Sequence, residues 1–427
     1  MKINSITIQN FRCLNEIKLQ EITPITVLVG RNNTGKSALL EAISLVVSGG
    51  ASWFDSLGTD LLQLLTEKRG GWDYANMMIK MGKPYANIAI TGENIKMKLQ
   101  ITRTINDLPE NFRSLAFATI DSYLERIFTT FDTRINTYLQ ERSEQIKESF
   151  EQQRESLNEI LNESFNWLKD NLWKEFKSYV GFYDLLNDTA KIAFIGKTER
   201  LTKFFKSLSK NLRNFFRKMD FHIKPFFYYI QIEDLIRSSE MKSDMLFNNT
   251  LFLLNPTIEY LKKLYQNLTK NGKLLEIIKI IKERITYFED IREINNHFLV
   301  FLKELEKPIP LESMGDGFIA QLTLLFAIAN LKKGVILMEE PENNLHPGYM
   351  SLVANQIIQT AVQGDFQYFI SPHSLEFLQF LLEANSELVK IVRMYRCDDK
   401  PMIDYEVLSG SEALEEFKEL QMDLRGI

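Results

Sequence analysis

Eight residues, Gly30-Arg31-Asn32-Asn33-Thr34-Gly35-Lys36-Ser37, constrain this chain more than any other stretch. They fit the pattern G-x-x-x-x-G-K-[ST], follow the apolar run Ile25 to Val29 and lead into a helical periodicity through Leu39, Leu40, Ile43 and Val46. A strand, a Gly-rich loop and a helix in that order form a phosphate cradle. The glycines let backbone N–H groups wrap an anion, and the helix N-terminus adds partial positive charge. In this pattern Gly30, Asn32, Asn33, Thr34 and Gly35 supply the loop. Lys36 meets the β- and γ-phosphates, and Ser37 is a ligand for Mg2+. The fold class that follows is α/β.

The acidic half of the chemistry stands far downstream. Gly334 to Met338 is an apolar run ending on Glu339, Glu340 and Pro341, a Walker B pattern. A strand buried on both faces delivers acids to the carboxyl edge of a parallel sheet, where nucleotide phosphates lie. Glu339 is the metal-side candidate. It is one methylene longer than the aspartate common at this position, so it is expected to hold Mg2+ through water. Glu340 is the candidate general base for the attacking water. His373, in Phe369-Ile370-Ser371-Pro372-His373-Ser374, follows another apolar run 33 residues past Glu340, and its imidazole can donate to a γ-phosphate. His346, just before Pro347, reads as a residue shaping the turn and the dimer contact after Walker B.

These pieces occupy opposite ends of a 427-residue chain, so the economical organisation is one α/β P-loop head split in sequence. Residues 1–105 hold the Walker A half, with short strands expected at Ala86 to Ile90 and Lys96 to Arg103. Residues 307–427 hold the Walker B half, with short buried strands at Gly334 to Met338 and Gln367 to Ile370. Residues 106–306 are rich in Leu, Ile, Phe, Lys and Glu at three-to-four-residue spacing and read as an almost entirely helical insertion. Within it Leu139, Ile146, Phe150, Leu157, Leu161, Phe165, Leu168, Leu172 and Phe176 keep a heptad-like stripe flanked by glutamates, which suggests a long packed helix. The 45% hydrophobic content supports real cores. Two cysteines, Cys13 and Cys397, make no disulfide framework and no metal-ligand spacing, so a reducing compartment is expected. The N-terminus alternates like a strand, with no signal-peptide pattern, and no apolar run is long enough to span a bilayer. The expected location is cytoplasmic, without membrane attachment.

Between the two halves of the motif set, Leu311-Glu312-Ser313-Met314-Gly315-Asp316-Gly317-Phe318 precedes an apolar helix through Leu322, Leu325, Phe326 and Ile328. Alone it reads as an ordinary capped helix. Shortly before a Walker B strand it looks like a modified ABC signature. With Ile8-Gln9-Asn10-Phe11-Arg12, the P-loop and Glu339-Glu340-Pro341-Glu342-Asn343-Asn344-Leu345-His346-Pro347, the sequence resembles the OLD-like and RecF-like ABC ATPases, relatives of the SMC repair proteins. The resemblance covers roughly the two ends of the chain and leaves the insertion unmatched. It implies ATP hydrolysis with Mg2+ and head-to-head dimers, or higher even-numbered oligomers, with ATP sandwiched between heads. It also implies that Ser313 and Gly315 contact the γ-phosphate bound by the opposite subunit, and that Arg12 lies near the nucleotide. For the glutamine that such heads use to sense Mg2+, Gln100 and Gln231 are the candidates. OLD nucleases carry a C-terminal Toprim domain, yet only 54 residues follow His373, and Asp398-Asp399 lacks the Asp-x-Asp spacing. The chain is therefore expected to work beside a separate nuclease or toxin in anti-phage defence or DNA metabolism.

The net charge of -5 hides a local reversal. Between Lys197 and Lys224 nine Lys or Arg face only Glu199 and Asp220. Arg200, Lys203, Lys206, Lys210, Arg213 and Arg217 recur at helical spacing opposite Leu201, Phe204, Leu208, Leu212 and Phe215. Such a stripe can neutralise DNA phosphates without reading sequence, or pair with the Glu-rich helix near residues 141–163 as a solvated face. The alternative to an ATPase switch is accordingly a DNA-binding module whose ATPase is mainly a structural clamp. Steep salt dependence of DNA affinity, lost on reversing Arg213 and Arg217, separates the two. A GTPase is disfavoured because no Asn-Lys-x-Asp loop is present.

Overall fold

The computed structural model describes residues 2–48, 77–108, 178–185, 189–195, 250–254 and 258–295. It also describes 297–419 apart from 332, 344, 365 and 398–401, with isolated positions between 110 and 167. Alternation builds the first sheet. In β1 (Ile3–Gln9), Ile3, Ile6 and Ile8 are fully buried while their neighbours are not. β1 pairs antiparallel with β2 (Glu16–Gln20) and with β4 (Tyr85–Gly92). The sheet continues through β5 (Ile95–Thr102), β6 (Ser178–Asp184) and β7 (Thr189–Ile195), in the order β2-β1-β4-β5-β6-β7.

Continuous apolar runs build the second sheet. Every residue of β3 (Ile25–Val29) is buried, as expected for a strand covered on both faces. Its sheet has the order β15-β14-β3-β13-β12-β8, formed by β8 (Thr250–Leu254), β12 (Gly334–Glu339), β13 (Phe366–Ser371), β14 (Val389–Arg396) and β15 (Ile403–Ser409). All neighbours are parallel except β14 and β15. The two halves of the split head therefore meet in one sheet, with β3 between β14 and β13.

Helix α1 (Lys36–Val47) is almost wholly buried. Leu39, Leu40, Ile43 and Val46 share one buried cluster with Ile6, Ile8 and Ile88 of the first sheet and with Val335, Leu337 and Phe369 of the second. The helix is packed between the sheets. The opposite face of the parallel sheet carries α2 (Ile258–Lys270), α3 (Leu274–Arg284), α4 (Asp316–Leu331), α5 (Pro347–Val362), α6 (Leu375–Asn385) and α7 (Gly410–Glu419). These helices form a second cluster around Phe318, Phe326, Tyr368 and Phe377. A small meander, β9 (Phe288–Ile294), β10 (His297–Leu302) and β11 (Ile309–Pro310), packs into the same core.

The all-helical reading of residues 106–306 needs correction, because β6, β7, β8, β9 and β10 all lie within it. Their runs, such as SYVGFYD and TLFLL, are short, aromatic or β-branched. Runs of that length carry no decisive helical or strand period, and a waiting sheet edge decides the outcome. β6 extends the first sheet beside β5, and β8 extends the second beside β12. The described positions between 148 and 167 are helical and exposed. The stripe residues Leu139 to Phe176, the basic stripe from Arg200 to Arg217 and Gln231 lie outside the described residues. No described helix is long and apolar enough to cross a membrane.

Candidate functional site

The site is a cleft of about 520 Å3 at the carboxyl ends of β3, β12 and β13. One wall is the P-loop, with Asn32, Asn33, Thr34 and Gly35 running into Lys36, Ser37 and Ala38. Gly35 sits before α1 with φ 94° and no side-chain cap, and no acidic residue stands in the first turn. The first helical amides have no acceptor inside the helix and suit an anion instead. Thr34 Oγ1 donates to the Arg31 carbonyl at 2.8 Å and closes the loop on itself. Gly30 lies behind the cleft. Its φ is 145°, and a Cβ there would come within 2.2 Å of the Met394 carbonyl oxygen on β14.

Lys36 Nζ donates to the Gly30 and Arg31 carbonyls at 2.6 and 2.9 Å, so the ammonium is held over the loop. Burial holds its pKa below the ordinary lysine value, while Glu340 and Glu339 pull the other way. A phosphate entering the cleft would meet a cation already relieved of much of its water.

The opposite wall is acidic. The Ser37 hydroxyl donates to Glu339 Oε1, joining the P-loop helix to the end of β12. A hydroxyl and a carboxylate are hard oxygen donors, the set that suits Mg2+ shared with substrate phosphates. Among the described residues no group of three His, Cys, Asp or Glu is placed to hold a metal by itself. Glu340 has a left-handed backbone, φ 51°, uncommon outside glycine and a frequent mark of a functional turn. Its N–H still donates to the Ser371 carbonyl at 2.9 Å, and its Oε1 lies 3.0 Å from His373 Nε2. Glu340 and His373 keep 34% and 40% of their side chains exposed, so both can reach an occupant of the cleft.

Arg12 also lines the cleft, on a left-handed turn with φ 51°. Its guanidinium pairs with Glu41, a buried carboxylate on α1. Ser313 and Gly315 are not brought into this cleft. Both are exposed at the start of α4, and a Cβ on Gly315 would meet open space. His346 shapes a turn as read: it caps α5, its Nδ1 accepting from the Gly348 N–H at 3.3 Å ahead of Pro347. Gln100 pairs with Asn87 and Gly181 inside the first sheet and does not line the cleft.

Four residues here escaped the sequence reading as site residues. Glu41 looked like one more α1 position. Cys13 lines the cleft, with its thiol pKa pushed up by burial against Arg12, Arg396 and Lys80. Arg396, at the end of β14, donates Nε to the Asn33 carbonyl at 3.0 Å and has no local motif to announce it. Glu342 is buried behind His373 and was visible only as part of the Glu340 to Pro347 string.

A strand, P-loop and helix, with an acid-tipped strand one place removed in the same sheet, define a P-loop nucleotide-binding head. Residues 1–378 match the family described as AAA ATPase domain, and the chain belongs to that family. The P-loop ATPase class read from the motifs is borne out by this match. An ATP/GTP phosphatase of Helicobacter pylori is 22% identical over 394 residues, covering 89% of this chain and 87% of that protein. Uncharacterized protein MJECL11 of Methanocaldococcus jannaschii is 30% identical over 119 residues, 26% of this chain and all of that one. Among solved structures, the SMC head bound to the C-winged helix domain of ScpA aligns with TM-score 0.45 and 12% identity over 97% of this chain and 100% of that one.

Proposed function

We propose that this chain hydrolyses ATP with Mg2+, and that each active site is completed by a second copy of the head. The observation that supports it most is the meeting of Ser37 with Glu339, and of Glu340 with His373, on one cleft above the P-loop. In this reading Lys36 and the loop from Gly30 to Gly35 bind the phosphates, and Arg12 borders the nucleotide. Ser37 would hold Mg2+ directly and Glu339 would hold it through water, and the bound cation would supply positive charge to offset that of the phosphates. Glu340 orients and deprotonates the attacking water, and His373 donates to the γ-phosphate oxygens. Ser313 and Gly315, exposed and outside their own cleft, are assigned to the γ-phosphate held by the partner head.

Phosphate release tests the catalytic assignments. Wild type should release phosphate from Mg-ATP, Lys36→Ala should neither bind nor turn over, and Glu340→Gln should bind ATP but lose about a hundredfold or more in rate. Glu340→Gln turning over at the wild-type rate would remove Glu340 as the base.

The finer biological reading keeps residues 106–306 as an insertion in sequence between the two halves, part of which joins the head's own sheets and core, and it assigns a separate effector, a nuclease or toxin, in anti-phage defence or DNA metabolism. Its support is the sequence resemblance alone. Tagged protein should bring the neighbouring gene's product with it from native extracts; a solitary dimer would count against an effector.

A further inference from the structure

Glu342 is a deeply buried acid behind His373 that the assignments above leave without a role, with 5% of its surface exposed. Its Oε1 accepts two backbone N–H groups in succession, from His373 and from Ser374, the latter at 2.7 Å. Its Oε2 is buried with no hydrogen-bond partner among the described residues. One oxygen thus gathers both amides of the turn that carries His373. Ser374 in turn caps α6, its Oγ accepting from the Phe377 N–H at 3.2 Å. On the other side, the Leu345 N–H donates to the Glu342 carbonyl at 2.9 Å, and the Asn343 N–H to the Glu340 carbonyl at 3.0 Å. Glu342 therefore ties the turn after β12 to the turn after β13, the two segments that present Glu340 and His373.

We infer that Glu342 is a positioning residue that fixes the His373 turn, so that the imidazole meets Glu340 and the terminal phosphate together. Both amides converge on one oxygen that is shielded from water, so an acceptor at that place holds the turn where solvent could not. Without it, the Glu340 N–H to Ser371 bond still joins the strands, but the His373 peptide loses its anchor. The P-loop, which binds most of the nucleotide, is untouched by the change. The effect should fall on turnover and spare affinity.

This inference rests on the ATPase reading, and its test separates the two. Binding of a fluorescent ATP analogue and phosphate release are measured for wild type, Glu342→Gln, Glu342→Asp, His373→Ala and the double variant Glu342→Asp/His373→Ala. Glu342→Asp keeps the carboxyl group but withdraws it by one methylene. It should bind the analogue within about twofold of wild type and lose about tenfold or more in kcat, a split expected when an interaction matters mainly in the transition state. Glu342→Gln, which keeps a carbonyl acceptor in the same place, should recover most of that loss. The double variant should be no slower than His373→Ala alone, because a residue acting through another gives non-additive losses. Wild-type turnover in Glu342→Asp, or losses that multiply in the double variant, would overturn the inference while leaving the ATPase reading intact. A wild-type protein that binds no analogue and releases no phosphate would overturn both.

Discussion

At the scale of single residues, burial shifts the protonation equilibria of Cys13, Lys36 and Glu342 around the site. Lys36 is the clearest. Burial lowers its pKa, and a phosphate in the cleft would raise it again by pairing with the ammonium. Nucleotide affinity should therefore be complete below the pKa of the free protein's Lys36 and fall as pH rises through it. The fall should begin at lower pH than an exposed lysine would show. Titration of a fluorescent ATP analogue between about pH 7 and about pH 10 checks this, with Lys36→Arg expected to flatten the profile because a guanidinium stays charged throughout. An unchanged alkaline profile in wild type would remove Lys36 as the phosphate-binding cation. Lys36, Ser37, Glu339, Glu340 and His373 were all legible in sequence because each stands at a fixed offset from a recognisable strand or loop. Arg396 and Glu41 were not. Their partners, Asn33 and Arg12, are reached through space across the sheet or the helix, and no local pattern encodes a contact of that kind.

At the scale of elements, the strand behind the P-loop matters as much as the loop. β14 presents its Met394 carbonyl to Gly30 and its Arg396 side chain to Asn33, while Ile403 of β15 packs against Gly35. A hairpin far along the chain thus forms the floor of the cradle. Gly30→Ala puts a methyl into the Met394 carbonyl at a backbone angle that disfavours any side chain. It should cost at least about 2 kcal/mol in urea unfolding and abolish nucleotide binding as β3 and β14 are pushed apart. Normal stability with normal affinity would mean that β14 does not brace the loop. The strands that carry motifs were legible because long apolar or alternating runs have one answer. β6, β7 and β8 were not, because a helix-rich neighbourhood and a five-to-seven-residue run leave the choice to the sheet edge beside them.

At the scale of the whole molecule, the split head solves a placement problem. The P-loop comes early in the chain and the acids late, and a single parallel sheet with β3 beside β13 and β13 beside β12 brings them to one edge. Ser313 and Gly315 are exposed and lie outside this cleft, and a paired site, as proposed, asks a second copy to bring them to it. The most direct test of a paired active site is the solution mass of Glu340→Gln with and without Mg-ATP, with Lys36→Ala alongside. The paired-head account predicts that Glu340→Gln runs as a single chain without nucleotide and as a stable dimer with ATP bound, while Lys36→Ala does not respond. If Glu340→Gln binds ATP and its mass stays the same, the two-copy site is wrong, and what survives is a head that works alone.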